Sequence, residues 1–132
     1  MVRILERLDR LAAGLLVAGS LLVASSADAA GDPAQGKMVF SHMCSACHSA
    51  AKGGAPIMGP TLFGVVGRRA GSMAGFDYSA AMKSAGFTWT DAQLAAYLPA
   101  PAKLVPGTKM TFLGVKNPGQ LDNLIAYLDT LK

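Results

Sequence analysis

The sequence has 132 residues, with twelve basic against eight acidic side chains, a formal net charge of +4 and 52% apolar residues. That length suggests one domain, and the basic residues are too dispersed to make a nucleic-acid patch, with no recognition motif accompanying them. The only two cysteines and two histidines crowd into His42–His48, a poor basis for a four-ligand zinc site.

The first 29 residues read as an export signal. Arg3, Arg7 and Arg10 form a basic start, Leu11–Ala24 an uncharged apolar run, and Ala27-Asp28-Ala29 a small-residue cleavage site. Cleavage after Ala29 leaves residues 30–132 as the folded domain and predicts a periplasmic protein. The uncharged run from Leu11 to Ala27 sits at the lower limit for a membrane span. The alternative is therefore an uncleaved anchor, the one circumstance in which a membrane is a partner. The leader removes equal numbers of basic and acidic residues, so the domain keeps +4. That charge fits steering toward redox proteins with acidic docking surfaces.

Three helix starts share one chemistry. Asp32-Pro33-Ala34-Gln35 supplies a cap acceptor, proline at the first helical position and Gln three residues on. Thr90-Asp91-Ala92-Gln93 repeats the cap-to-Gln spacing, and Asn117-Pro118-Gly119-Gln120 repeats it with proline. Helices are predicted over 33–44, 91–98 and 118–131, with a shorter turn over 78–83 and no strand. Residues 51–75, rich in Gly and Pro, read as loop. The last helix puts Leu121, Leu124, Ile125 and Leu128 on one face. Gly36 and Phe40 of the first helix are expected to cross it at Leu124 and Tyr127.

Between the first helix and the loop lies Cys44-Ser45-Ala46-Cys47-His48. Two thiols three positions apart, followed by an imidazole, are the attachment signature of haem c. Each cysteine can form a thioether to one vinyl group, and the histidine then lies under the ring where it can bind iron. A disulfide, a thioredoxin-like thiol pair and half a zinc site are the competing readings. The thiol pair wants a βαβ context, and no alternation of strands and helices is seen. A covalent haem would also staple a domain this small.

A six-coordinate haem needs a second axial ligand. His42 lies only six residues before His48 and is expected to be exposed. The methionines are Met38, Met43, Met58, Met73, Met82 and Met110. Met38 and Met43 are too near the attachment site in sequence. Met110 lies in Leu104–Met110, read as an extended loop after the third helix, far enough from His48 to return across the other haem face.

From Gly31 onward the chain resembles class I cytochromes c. Pro-Gly-Thr-Lys-Met at 106–110 resembles the family's distal ligand loop, which implies that Met110 is the second ligand. Gly59-Pro60-Thr61-Leu62 resembles the loop whose proline carbonyl holds the proximal ring, which implies a bond from His48 to Pro60. Gly67-Arg68 and Gly75-Phe76-Asp77-Tyr78 resemble the propionate-binding segment. Arg68, Tyr78 and Trp89 are the matching residues there. Tyr97 matches the tyrosine beside the methionine sulfur, and Phe112 the aromatic at the exposed haem edge. The chain departs from mitochondrial relatives at Met43 and Ala102, where those often carry lysine, and at Met82, where they often carry asparagine.

The resemblance implies an all-α fold, three main helices with short helices and loops around one haem c held by Cys44 and Cys47. It implies His48 and Met110 on iron and a monomeric one-electron carrier rather than an enzyme. Such a carrier would run between a quinol-oxidising complex or dehydrogenase and a terminal oxidase, reductase or photosynthetic reaction centre. A haem peroxidase or ligand sensor is the alternative if Met110 is labile. Lys52, Lys103, Lys109 and Lys116 are left to make a positive face.

Overall fold

The computed structural model describes residues 30–132, so the expected signal and its cleavage site lie outside the described residues. The helices run α1 Pro33–Met43, α2 Ala80–Ser84, α3 Asp91–Tyr97, α4 Pro101–Leu104 and α5 Pro118–Asp129. None of them is long and apolar enough to cross a membrane.

The caps form where the sequence predicts them. The Asp32 carboxylate accepts from the N–H of Ala34 and Gln35, the Thr90 hydroxyl from Gln93 and the Asn117 carbonyl from Gln120. Each satisfies a donor the first turn would otherwise leave open. At α1 the cap's own N–H goes to the Asn123 side chain of α5, 2.7 Å away. The first turn of α1 is thereby tied to α5.

That tie continues along the crossing of α1 and α5. A Cβ on Gly36 would run into the Asn123 carbonyl and lie 2.7 Å from the Tyr127 Cβ. Only glycine lets the two backbones meet there. One turn on, the Phe40 and Tyr127 rings pack at 5.6 Å with a 56° tilt. Leu124, Ile125 and Leu128 of α5 join Val39 and Phe40 of α1 and Leu94, Tyr97 and Leu98 in one core. The predicted crossing is therefore present, with Asn123 as its backbone contact.

Two elements differ from expectation. The short helix starts at Ala80 rather than Tyr78, because the Ser79 hydroxyl caps it by accepting from the Met82 N–H. A further helical turn, α4, precedes the expected extended loop. Pro101 at its first position has φ already set for a helix, and its ring is fully buried.

The Gly- and Pro-rich segment contributes no strand. A single isolated bridge among the described residues pairs Arg69 with Thr88. Gly67 and Ala70 N–H groups donate to Trp89 and Phe87 carbonyls at 2.8 and 2.9 Å, and Trp89 N–H donates back to Arg68. This pairing sets Arg68 and Trp89 side by side.

Candidate functional site

Loops and helices enclose an apolar cleft of about 1300 Å³, counting its open mouth. Cys44, Cys47 and His48 line it, as do Tyr97 and Met110, and the buried Leu94, Leu98, Leu124 and Leu128 supply its floor. Helical register explains the floor: Leu94 and Leu98, and Leu124 and Leu128, are each four apart and so share a face.

His48 is fixed from two directions. Its Nδ1 lies 2.7 Å from the Pro60 carbonyl. That oxygen can only accept, so Nδ1 carries the proton and Nε2 keeps its lone pair for a metal. Gly59, which the sequence reading quoted without giving it a role, lies flat on the ring. A Cβ there would overlap Cε1 and lie 2.7 Å from Nδ1. Burial lowers the imidazole pKa, against the Pro60 bond, which raises it, and with Arg68, which lowers it further. The net shift is downward and favours the neutral ring, the form that ligates metal.

Cys44 is half-buried, and burial together with neighbouring Cys47 pushes its thiol up to about 11. Both cysteines are free rather than joined. The Cys47 thiol faces the Met58 sulfur at 3.9 Å. The structure thus gives no support to a structural disulfide.

Four methionines line the cleft: Met43, Met58, Met82 and Met110. Met58 is beside Cys47, and Met82 is buried in α2. Met110 differs in the donor at its sulfur: the Tyr97 hydroxyl donates to it at 3.3 Å, where the Met58 sulfur faces only the weaker Cys47 thiol. Burial raises the Tyr97 pKa, with Thr108 opposing, so the phenol stays a donor at neutral pH. Thr108 also accepts from the Met110 N–H at 3.2 Å. His42 is exposed and lines no part of the cleft.

Arg68, Tyr78 and Trp89 come together on one side of the cleft, as the resemblance implies. Arg68 spends part of its donor set locally, on the Thr61 carbonyl at 2.9 Å and the Phe63 carbonyl at 3.3 Å. These bonds fix the 61–63 loop, a role sequence reasoning missed because carbonyl acceptors leave no sequence signal. Burial lowers its pKa, partly offset by Tyr78. Tyr78 packs edge-on against Phe76 at 4.8 Å, and Trp89 packs edge-on between Phe87 and Tyr97, each at 4.8 Å. Among the described residues, every buried side-chain nitrogen and oxygen has a partner.

Asp77 was not singled out in the sequence. Its carboxylate meets Lys109 at 2.6 Å and Lys83 at 3.5 Å, and Lys109 also donates to the Asp77 carbonyl at 2.9 Å. The Lys109 bond, then the charges of Lys109 and Lys83, hold the carboxyl pKa below its ordinary value. Lys109 is thereby bound to a neighbour, and the Lys116 ammonium turns back onto the Pro99 carbonyl. Two of the four lysines expected to form a positive face are engaged within the protein.

A helical shell around an apolar cleft, with two thiols and an oriented neutral imidazole in its lining, defines a c-type haem protein. The cytochrome c family model matches residues 33–132, and the chain belongs to that family. It is 47% identical over 115 residues to a cytochrome c2 of Rhodomicrobium vannielii, covering 87% of this chain and 91% of the relative. It is 48% identical to a cytochrome c2 of Rhodoblastus acidophilus, covering 78% and 95%. It is likewise 48% identical to a cytochrome c of Chlamydomonas reinhardtii, covering 75% and 88%. Among solved structures, cytochrome cH from Methylobacterium extorquens matches with a TM-score of 0.69 and 48% identity, over 76% of this chain and 99% of that one.

Membership brings one covalent haem c, held through two cysteines, and Cys44 and Cys47 are the chain's two. The cleft fits that group. Its lining is mostly apolar, as a macrocycle is, and Arg68, which is part of that lining, spends only two of its five N–H donors on backbone carbonyls, which leaves others for a carboxylate.

Tyr97→Phe is expected to leave the fold intact and cost no more than about 1 kcal/mol, because a sulfur acceptor makes a weak bond. The midpoint potential of the haem-loaded protein should move by less than about 60 mV, a tenfold change in relative affinity for a one-electron couple. Voltammetry of the two proteins side by side checks this.

Proposed function

We propose that this protein is a monohaem electron carrier of the exported compartment, in which His48 and Met110 would hold the haem iron. The observation that carries the reading is the pair of prepared donors at one cleft. Imidazole Nε2 is left free by the Nδ1–Pro60 bond, and the Met110 sulfur is held by Tyr97. The bound haem supplies a one-electron couple between ferrous and ferric iron. The chain's residues do the rest. Pro60 and Gly59 fix the imidazole in one orientation and one tautomer. Tyr97 and Thr108 fix the thioether and its backbone. Arg68, with Tyr78 and Trp89, offers donors to the carboxylates, while the leucine floor excludes water. Ligands held this firmly favour electron transfer with little rearrangement, which is a carrier's requirement rather than an enzyme's.

The partners in this reading are redox proteins: a quinol-oxidising complex or dehydrogenase on one side, an oxidase, reductase or reaction centre on the other. Lys52 and Lys103, with the net charge of +4, steer the encounter toward acidic surfaces. Residues 1–29 send the chain to the periplasm and are cleaved, leaving a soluble monomer.

The test is an intact mass of protein purified from an exporting host with haem-attachment machinery, followed by a redox titration. The expected mass is residues 30–132 plus one haem, with a reversible one-electron transition. Full-length chain plus haem would turn the leader into an anchor. Protein without haem, from a host that loads a control cytochrome, would overturn the reading.

A further inference from the structure

The chain on either side of Met110 is fastened in two different ways. After it, residues 114–116 are locked to the end of α3 by backbone. Val115 is buried and donates its N–H to the Leu98 carbonyl at 2.9 Å. A Cβ on Gly114 would run into the Pro99 carbonyl, so the two backbones are in direct contact. The Lys116 ammonium bonds that same carbonyl.

Before Met110 the fastening is ionic. The Thr108 N–H bonds locally, to the Val105 carbonyl at 3.0 Å. Among the described residues, no backbone hydrogen bond joins residues 106–110 to residues 75–79. One side chain joins them instead. The Lys109 ammonium donates to the Asp77 carboxylate at 2.6 Å and to the Asp77 carbonyl at 2.9 Å. The same carboxylate faces Lys83 of α2 at 3.5 Å. Asp77 thus gathers three segments: its own, which carries Tyr78 into the cleft lining, α2, and the loop that ends at Met110. Its side chain is 82% exposed, and that of Lys109 56%. An ion pair this open to water is weakened by dissolved salt, whereas buried neutral backbone bonds are not.

We propose that Asp77 is a positioning residue for the Met110 sulfur, and that Met110 leaves the iron when residues 106–110 swing out from Asp77 about a fixed point at Val115. This rests on the electron-carrier reading, in which Met110 holds the sixth position. Asp77 acts through Lys109, the neighbour of Met110. Local opening starts where the fewest buried bonds must break, and here that is the Asp77 side. Opening from either side breaks the Tyr97 bond to the sulfur, so that bond does not choose between them.

Carbon monoxide tests this in the reduced, haem-loaded protein. It is uncharged, so salt does not steer its encounter with the protein, and it binds only after the sulfur has left. Binding is followed by stopped-flow absorbance from about 10 mM to 1 M salt, over which the screening length falls from roughly 30 to 3 Å. The wild-type rate should rise about threefold, a scale that exposed ion pairs allow. Asp77→Asn keeps a side-chain oxygen for Lys109 but loses the charge. It should bind about threefold faster than wild type at low salt and vary by less than about 1.5-fold with salt. Asp77→Glu restores the charge and should regain both the slow rate and its salt dependence. Asp129→Asn is the control. It removes the exposed pair of Asp129 with Lys132, 3.0 Å apart at the end of α5, and should match wild type throughout.

A wild-type rate indifferent to salt, or an Asp77→Asn rate equal to wild type, would overturn the role of Asp77. If Met110→Leu still binds fast, Met110 stays the ligand. Equal effects of Asp77→Asn and Asp129→Asn would also overturn it, by reducing the effect to net charge. A lower melting point for Asp77→Asn with unmoved carbon monoxide rates would reduce Asp77 to a surface stabiliser. Wild-type binding as fast as that of Met110→Leu at every salt would remove Met110 from the iron, and the role of Asp77 with it.

Discussion

Gly36→Val is expected to cost the domain about 3 kcal/mol or more, the upper range for overpacking a close contact. Helix propensity alone points the other way, because glycine inside a helix is about 1 kcal/mol worse than alanine. The outcome is decided by the crossing. Even the first carbon of a side chain would occupy the position of the Asn123 carbonyl, which is backbone and cannot rotate aside. α1 and α5 must separate, and separation also strains the Phe40–Tyr127 contact and the bond from Asp32 N–H to Asn123. A small domain has only about 5–15 kcal/mol to lose. At 4–8 °C per kcal/mol for a domain near this size, the melting point should fall by at least about 12 °C. Gly119→Ala is the comparison. Its new carbon would meet only the Asn117 side-chain oxygen, at 3.4 Å, so stability should stay within about 1 kcal/mol of wild type. Equal melting points for Gly36→Ala and Gly119→Ala would show that the helices do not meet at Gly36.

The contrast between those glycines shows what a sequence can carry. The caps at Asp32, Thr90 and Asn117 are local: acceptor and donor lie within three residues, so their spacing is written in the chain. The face of α5 is periodic and equally legible. The attachment block is legible because both thiols and the imidazole must sit within one turn. What escaped is non-local and aperiodic. Gly59 touches a ring eleven positions away, Arg68 bonds backbone carbonyls, and Asp77 reaches a lysine thirty-two residues on. The turn at Pro101 was missed because one turn is too short for periodicity, and its only signal is a proline that also suits a loop. The choice among methionines shows the same limit. Spacing alone left Met58, Met73 and Met82 open, and of these Met58 and Met82 line the cleft. The resemblance favoured Met110, and the Tyr97 hydroxyl on its sulfur gives that choice a physical reason.

Met110→Leu is expected to keep the fold and lower the midpoint potential by about 120 mV or more. Leucine conserves volume, so the packing cost is below about 1.5 kcal/mol, and what is removed is the sulfur lone pair. A thioether is a soft ligand that raises the potential by favouring ferrous iron. If it binds the two oxidation states with affinities a hundredfold apart, its loss shifts a one-electron potential by about 120 mV, at 59 mV per tenfold. The same variant should bind carbon monoxide rapidly when reduced, because the sixth position is then open. Wild-type protein should bind it slowly, at the rate at which the Met110 sulfur leaves; rapid binding there would move the protein toward the ligand-sensor or peroxidase reading. Met58→Leu and Met82→Leu separate ligation from packing, since each removes a sulfur from the same cleft. Their potentials should stay within about 60 mV of wild type, a tenfold change in relative affinity. A full drop in either, with Met110→Leu unchanged, would transfer the second ligand to that residue and reduce the Tyr97–Met110 contact to packing.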